Sequence, residues 1–231
     1  MDRRKFIRIC SASAGLAPVS NFALGTAPVR REYTKAQLLD ASGAPLRAAR
    51  IAARQNYVFF YPFKATPCFL INLGRSVAPL QVAGGAPEYA WPGGVGAGRS
   101  LVAYSAICSH QLTYPTREIS FISFRAGKAG ANQHADVIHC CSEHSQYDPA
   151  QGARVLAGPA PRPLAAILLE HDGRTDALYA TGTLGPDVFD EFFRKYEFRL
   201  TMEHGGRARN DNSDNCRVTE LDSYCRQQVR C

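Results

Sequence analysis

The sequence lacks an internal repeat, and its positive charge lacks a focus in the body of the chain. Lys and Arg number 27 against 20 Asp and Glu, a net charge of +7. The bases gather at Arg3 to Lys5, at Arg30 and Arg31, and between Arg207 and Arg230. Charge carried in the tails does not line a groove, so no nucleic-acid partner is expected. Residues 9–29 carry no charge at all. That stretch is about as long as the ~20 apolar residues needed to span a bilayer, but Pro18, Asn21 and several Ser make it a poor permanent anchor. Tryptophan occurs once, and Trp91 is read as a core residue.

What precedes and follows the uncharged stretch gives it a meaning. Arg3-Arg4-Lys5-Phe6-Ile7 resembles a twin-arginine export signal, and the Ala-, Ser- and Gly-rich residues after it end near the small residues Gly25-Thr26-Ala27. The expectation is export to the periplasm by the route that carries folded proteins, with the leader cleaved or acting as a weak membrane anchor.

Tyr57 to Phe63 and Cys68 to Leu73 are short, aromatic or β-branched runs bounded by Pro and Gly, the signature of strands. Residues 83–99 hold eight Gly or Pro and read as irregular. Leu101 to Ile107 reads as a strand delivering Cys108 into a loop, and Ile119 to Phe124 and Asp136 to His139 as further strands. Leu164 to Glu170 and Ala177 to Ala180 suggest a hairpin across His171 to Arg174. Asp187 to Tyr196 has apolar residues at helical spacing after Gly185-Pro186 and predicts an amphipathic helix. The expected organisation is a leader or anchor over 1–30, a linker of mixed, helix-compatible pattern over 31–56, a β-rich domain with its C-terminal helix over 57–204, and a polar cysteine-containing tail over 205–231.

Eight cysteines in an exported chain ordinarily suggest disulfides. Two of them sit in a more specific pattern. Cys108-Ser109-His110 places a thiol and an imidazole two residues apart, and Cys141-Ser142-Glu143-His144 places another pair three apart. Each pair lies within a turn's reach and follows a strand. Such a set suits either a tetrahedral Cys2His2 zinc site or two irons, one taking both thiolates and the other both imidazoles.

The flanking residues favour the second. Val102-Ala-Tyr-Ser-Ala-Ile-Cys-Ser-His110 resembles the first cluster box of the Rieske family, and Cys141 to His144 followed by Ser145-Gln-Tyr-Asp-Pro149 resembles the second. Gly152-Ala-Arg-Val155 and Gly158-Pro-Ala-Pro-Arg-Pro163 are similar to the turn and proline loop that cover the cluster in that family. The likeness spans about Tyr57 to Leu184.

This resemblance implies an all-β fold: a Rieske-like antiparallel β-sandwich with a cluster-binding subdomain, plus a short C-terminal helix. It implies a [2Fe-2S] cluster on Cys108, His110, Cys141 and His144. It further implies an electron-transfer protein or subunit of a respiratory oxidoreductase, passing electrons from a quinol or partner enzyme to a cytochrome, with no bond-making catalysis of its own. The non-redox alternative is a zinc-stabilised binding module. Rieske oxygenases add a large domain with a mononuclear iron, whereas residues 185–231 hold a single His, His204.

Three departures stand out. Quinol-oxidising relatives have a further cysteine in each box, joined as a disulfide; Thr113 and Glu143 stand at those places here, so that brace is expected to be missing. The stretch from His110 to Cys141 is long, implying an insertion around 125–135. Counted from Cys141, the second box is one residue short after His144, so Ser145 and Tyr147 match the family's hydrogen-bonding pair only across a gap. Cys140 is read as a non-ligand, Cys68 as a core thiol, and Cys216, Cys225 and Cys231 as disulfide staples of the tail. His134, His139, His171 and His204 are read as surface or structural.

Overall fold

The computed structural model describes residues 29–83, 87–127, 134–213 and 216–231. Residues 1–28 of the expected leader, and most of the expected insertion, lie outside them. Among the described residues no helix is long and apolar enough to cross a membrane.

The fold is all-β. Its larger sheet has eight strands in the order β14-β1-β13-β12-β6-β3-β2-β15. The chain contributes β1 (Arg30–Leu39), β2 (Asn56–Phe60), β3 (Pro67–Asn72), β6 (Leu101–Ser105), β12 (Ala166–Asp172), β13 (Ala177–Leu184), β14 (Cys216–Arg217) and β15 (Thr219–Glu220). A second sheet, β11-β10-β9-β8, is built from β8 (Ile122–Arg125), β9 (Val137–Cys140), β10 (Ser145–Asp148) and β11 (Arg154–Ala157). Two short ladders complete the set: β4 (Leu80–Val82) with β5 (Tyr89–Trp91), and β16 (Gln227–Gln228) with β7 (Ile119–Ser120). Pairing is antiparallel except for β1 with β14 and β16 with β7.

Strand periodicity separates two cores. Phe69, Ile71, Val102 and Tyr104 face the smaller sheet and meet Ile122, Phe124, Ile138, Cys140 and Tyr147 there. The alternate residues Cys68, Leu70, Leu101 and Ala103 turn to the opposite face, with Phe59, Leu38, Leu178 and Cys216. The first core therefore lies between the sheets, and the cysteines of interest sit at its edge. Trp91 and Cys68 are buried as expected.

The residues expected to be a linker instead form β1, paired with β13 from Arg30↔Leu184 to Gln37↔Tyr179 with an irregularity between Glu32 and Ala36. Only Ala36 and Leu38 of that strand are fully buried. One short alternation behind a bulge gave too little period-2 signal to outweigh the helix-compatible Ala, Leu and Arg that follow. The tail is not loose either. Its β14, β15, α3 (Leu221–Tyr224) and β16 all join the body, because Cys216, Val218, Leu221 and Cys225 are buried there.

The expected helix is α1 (Phe189–Lys195), with Asp190 and Glu191 in its first turn and Arg194 and Lys195 in its last, charges that complement its dipole. The chain passes through Tyr196 into α2 (Glu197–His204), which stops at Gly205 in the left-handed conformation. Phe189, Phe192, Phe193 and Leu200 pack on Ile107, Leu112 and Tyr114. These helices buttress the loop that carries Cys108 and His110, with Tyr114 and Phe192 edge to face at 4.9 Å.

Candidate metal centre

β6 runs into a tight loop at Cys108. The Cys108 amide donates to Thr113 O at 2.8 Å and the Leu112 amide to Cys108 O at 2.9 Å, so the turn closes on itself and presents His110 at its outer edge. The second loop, residues 141–144, connects β9 to β10, with Cys140 opposite Ser145 in the last register pair. His144 there adopts a positive φ of 58°.

The structure brings Cys108 together with Cys140. Both thiols are free and buried, and they lie close enough that each is the largest influence on the other's titration. The contact holds Cys108 well below the ordinary thiol range, helped by the Tyr147 hydroxyl and the amides of His110 and Gln111. Cys140 is driven up by the same contact and by burial.

Cys141, by contrast, forms a disulfide with Cys231, Cα to Cα 5.7 Å. A sulfur in a disulfide is not a thiolate, so the expected set of Cys108, His110, Cys141 and His144 is not assembled. Strand parity is the reason. Ile138 and Cys140 face the inter-sheet core, and the residues on either side of Cys140 turn outward, where His139 lies 3.6 Å by Nε2 from Cys231 Sγ. His144, exposed in the 141–144 loop, has its ring 5.8 Å from that of His139. His139 has its pKa lowered by burial, then by His144 and Arg125.

Counted from Cys140, the second box needs no gap to bring Ser145 and Tyr147 to their places, and the structure puts the Tyr147 hydroxyl at Cys108 and Ser145 opposite Cys140 in the strand pair. The Tyr147 hydroxyl lies 3.2 Å from Cys108 Sγ and accepts from the Ser109 amide at 3.2 Å. Ser145 Oγ is buried without a hydrogen-bond partner, and so is His110 Nδ1. Two neighbouring free thiols, an unpaired imidazole nitrogen on the same loop as one of them, and an unpaired hydroxyl across the strand pair from the other form a donor set whose chemistry suits an iron-sulfur group.

The proline loop ties the two boxes together. Arg162 O accepts the Ser109 hydroxyl at 2.6 Å, while Arg162 reaches Glu191 of α1 at 2.9 Å. At Gly158, φ is +85° and a Cβ would stand 2.6 Å from His144 O and from Ser145 Cα. Gly158→Ala is therefore expected to cost about 2–4 kcal/mol from clash and left-handed strain, read as a lower urea midpoint; an unchanged midpoint would contradict this packing.

The tail's expected disulfides reduce to one. Cys216 and Cys225 are free and buried, their thiols donating to Phe60 O at 3.2 Å and Gln227 O at 3.0 Å. Cys231 instead reaches the second box. The sequence carried no sign of this pairing, which joins residues 90 apart. In effect a brace is present, running from the tail to the second loop rather than between the two loops.

No protein-family model matches the chain. Among solved structures the chain is similar to the soluble domain of Rieske protein II from Sulfolobus acidocaldarius, at 24% identity over 65% of this chain and 78% of that one, with a TM-score of 0.49.

Proposed function

We propose that the protein is a Rieske-type electron carrier whose [2Fe-2S] cluster is held by Cys108 and Cys140 on one iron and by His110 and His144 on the other. The observation that carries this reading is the pair of free, buried, neighbouring thiols, one in the loop after β6 and one at the end of β9, with the unpaired Nδ1 of His110 on the loop of the first. The box-like flanks, and a tyrosine hydroxyl on the thiol where the resemblance implies one, support it further.

When bound, such a group supplies one-electron redox chemistry. The chain's own residues do the rest. Cys108 and Cys140 bind as thiolates, and Tyr147 and the Ser109 amide fix the position of Cys108 Sγ. The proline loop and the α1–α2 pair exclude water from the sulfur side. His110 and His144 lie at the surface side of the two loops, where imidazole nitrogens can hold or release a proton as charge changes. A hydroxyl donating to a ligand sulfur stabilises the reduced, more negative state. Tyr147→Phe is therefore expected to lower the reduction potential, measured by protein-film voltammetry; an equal or higher potential would remove Tyr147 from this role.

The reading includes a periplasmic location, supported by the Arg3-Arg4 leader and by a disulfide suited to an oxidising compartment. It also includes a donor of the quinol or oxidoreductase class and a cytochrome acceptor, in keeping with an exposed imidazole edge. The test is low-temperature EPR of the dithionite-reduced protein, with iron and acid-labile sulfide quantified on the same sample. Equal iron and sulfide at one cluster per chain, with a Rieske-type signal, is the expected result. A colourless, EPR-silent sample with zinc at this site would make the protein a zinc-stabilised module instead.

A further inference from the structure

A second group of donors lies on the outer face of β9, away from Cys108 and Cys140. Cys141, Cys231 and His139 offer two sulfurs and an imidazole nitrogen whose ligand atoms all lie within 4.8 Å of one another. They come from two segments: His139 and Cys141 from the end of β9, and Cys231 from a strap laid across it. The strap is held by β16 against β7, by the Val229 amide on Ser120 O at 2.8 Å and the Arg226 amide on Arg117 O at 2.9 Å, and by Arg125 on Val229 O. Cys231 is thus positioned by backbone pairing as well as by its disulfide.

His139 is only 1% exposed, and its contacts from ring nitrogens are to Cys231 Sγ, 3.6 Å from Nε2 and 3.8 Å from Nδ1. Tetrahedral zinc bonds of about 2.3 Å to sulfur and 2.0 Å to nitrogen set the two donor atoms about 3.5 Å apart. The Nε2 to Sγ spacing already matches. Arg125 Nη2 lies 3.7 Å from Cys141 Sγ, an outer hydrogen bond of the kind that orients a thiolate ligand.

We infer that His139, Cys141 and Cys231 are a redox-gated site for one zinc-class d10 cation, closed while the disulfide stands and opened when it is reduced. The gate is thiol–disulfide exchange with a dithiol: the donor is oxidised to its disulfide, the Cys141–Cys231 bond takes two electrons and two protons, and two thiols result. Binding of the divalent cation then releases the two thiol protons, leaving two thiolates, one neutral imidazole and a fourth position for water. Two thiolate charges balance the cation, and the strap stays tied to β9 in both states. The site's three donors are distinct from Cys108 and Cys140.

The test uses the full chain, reduced anaerobically with dithiothreitol, desalted, and titrated with Co2+ followed by competition with Zn2+. A thiolate-to-cobalt charge-transfer band at one equivalent is expected after reduction and not before it, displaced by Zn2+. Cys231→Ser should abolish the band, and His139→Asn should weaken Co2+ binding at least tenfold. A count of free thiols in denaturant should rise by two on reduction. Absence of the band once the count has risen overturns the inference, as does a disulfide that resists reduction. A band that survives in Cys231→Ser and vanishes in Cys108→Ser overturns it too, since the metal would then sit on the other cysteine pair.

Discussion

Cys140→Ser is expected to strip the protein of bound iron, whereas Cys141→Ser leaves iron in place. The two cysteines are neighbours, so proximity alone does not separate them. Orientation does: Cys140 faces the inter-sheet core against Cys108, while the Cys141 sulfur is bonded to Cys231 on the other face. A missing thiolate leaves the iron pair with an incomplete set, so Cys108→Ser and Cys140→Ser should both fall to the iron content of unloaded protein. Cys141→Ser and Cys231→Ser should match each other, with iron, sulfide and EPR signal near the parent's. Far-ultraviolet circular dichroism on all four keeps misfolding distinct from loss of a ligand. The opposite pattern, iron lost with Cys141 and kept with Cys140, would restore the ligand set that spacing alone suggests.

Loss of the disulfide is expected to weaken the fold more than most single changes. It closes a loop between residues 90 apart, for which chain entropy sets a ceiling near about 4.7 kcal/mol, and typical disulfides deliver about 2–4 kcal/mol. For a chain of this size that corresponds to a melting temperature lower by about 4–16 °C. Cys231→Ser should show this fall, and dithiothreitol should lower the parent's melting temperature to the same value without moving the variant's. Coincident melting of parent and variant would mean that the strap is held by β16 pairing and Arg125 alone.

The strands that bear the centre were legible because apolar, β-branched runs end in punctuation at each side: β2, β3, β6, β9 and the β12–β13 pair all lie where such runs occur. The first box was legible for the same reason, since β6 delivers Cys108 directly into a loop. In the second box the structure parts from the spacing, because Cys141 is taken by the disulfide to Cys231 and Cys140 is the free thiol. Cys141 to His144 has a familiar spacing, and nothing local reveals that Cys140 shares the inward parity of Ile138. The better signal was the gap itself: Ser145 and Tyr147 keep their count from Cys140, and Tyr147 is the residue found on Cys108 Sγ. The Cys231 pairing was invisible because a disulfide partner is chosen by fold, not by local pattern. β1 was missed because its buried alternation is only two residues deep.

The most direct test of the account is pulsed EPR on reduced protein grown with 15N-histidine. Two imidazole nitrogens should couple to the electron spin, with the other iron carried by thiolates, and His110→Ala and His144→Ala should each abolish that signal. A spectrum with no nitrogen coupling, or one unchanged by removing His110, would contradict a centre built on Cys108, Cys140 and these two histidines.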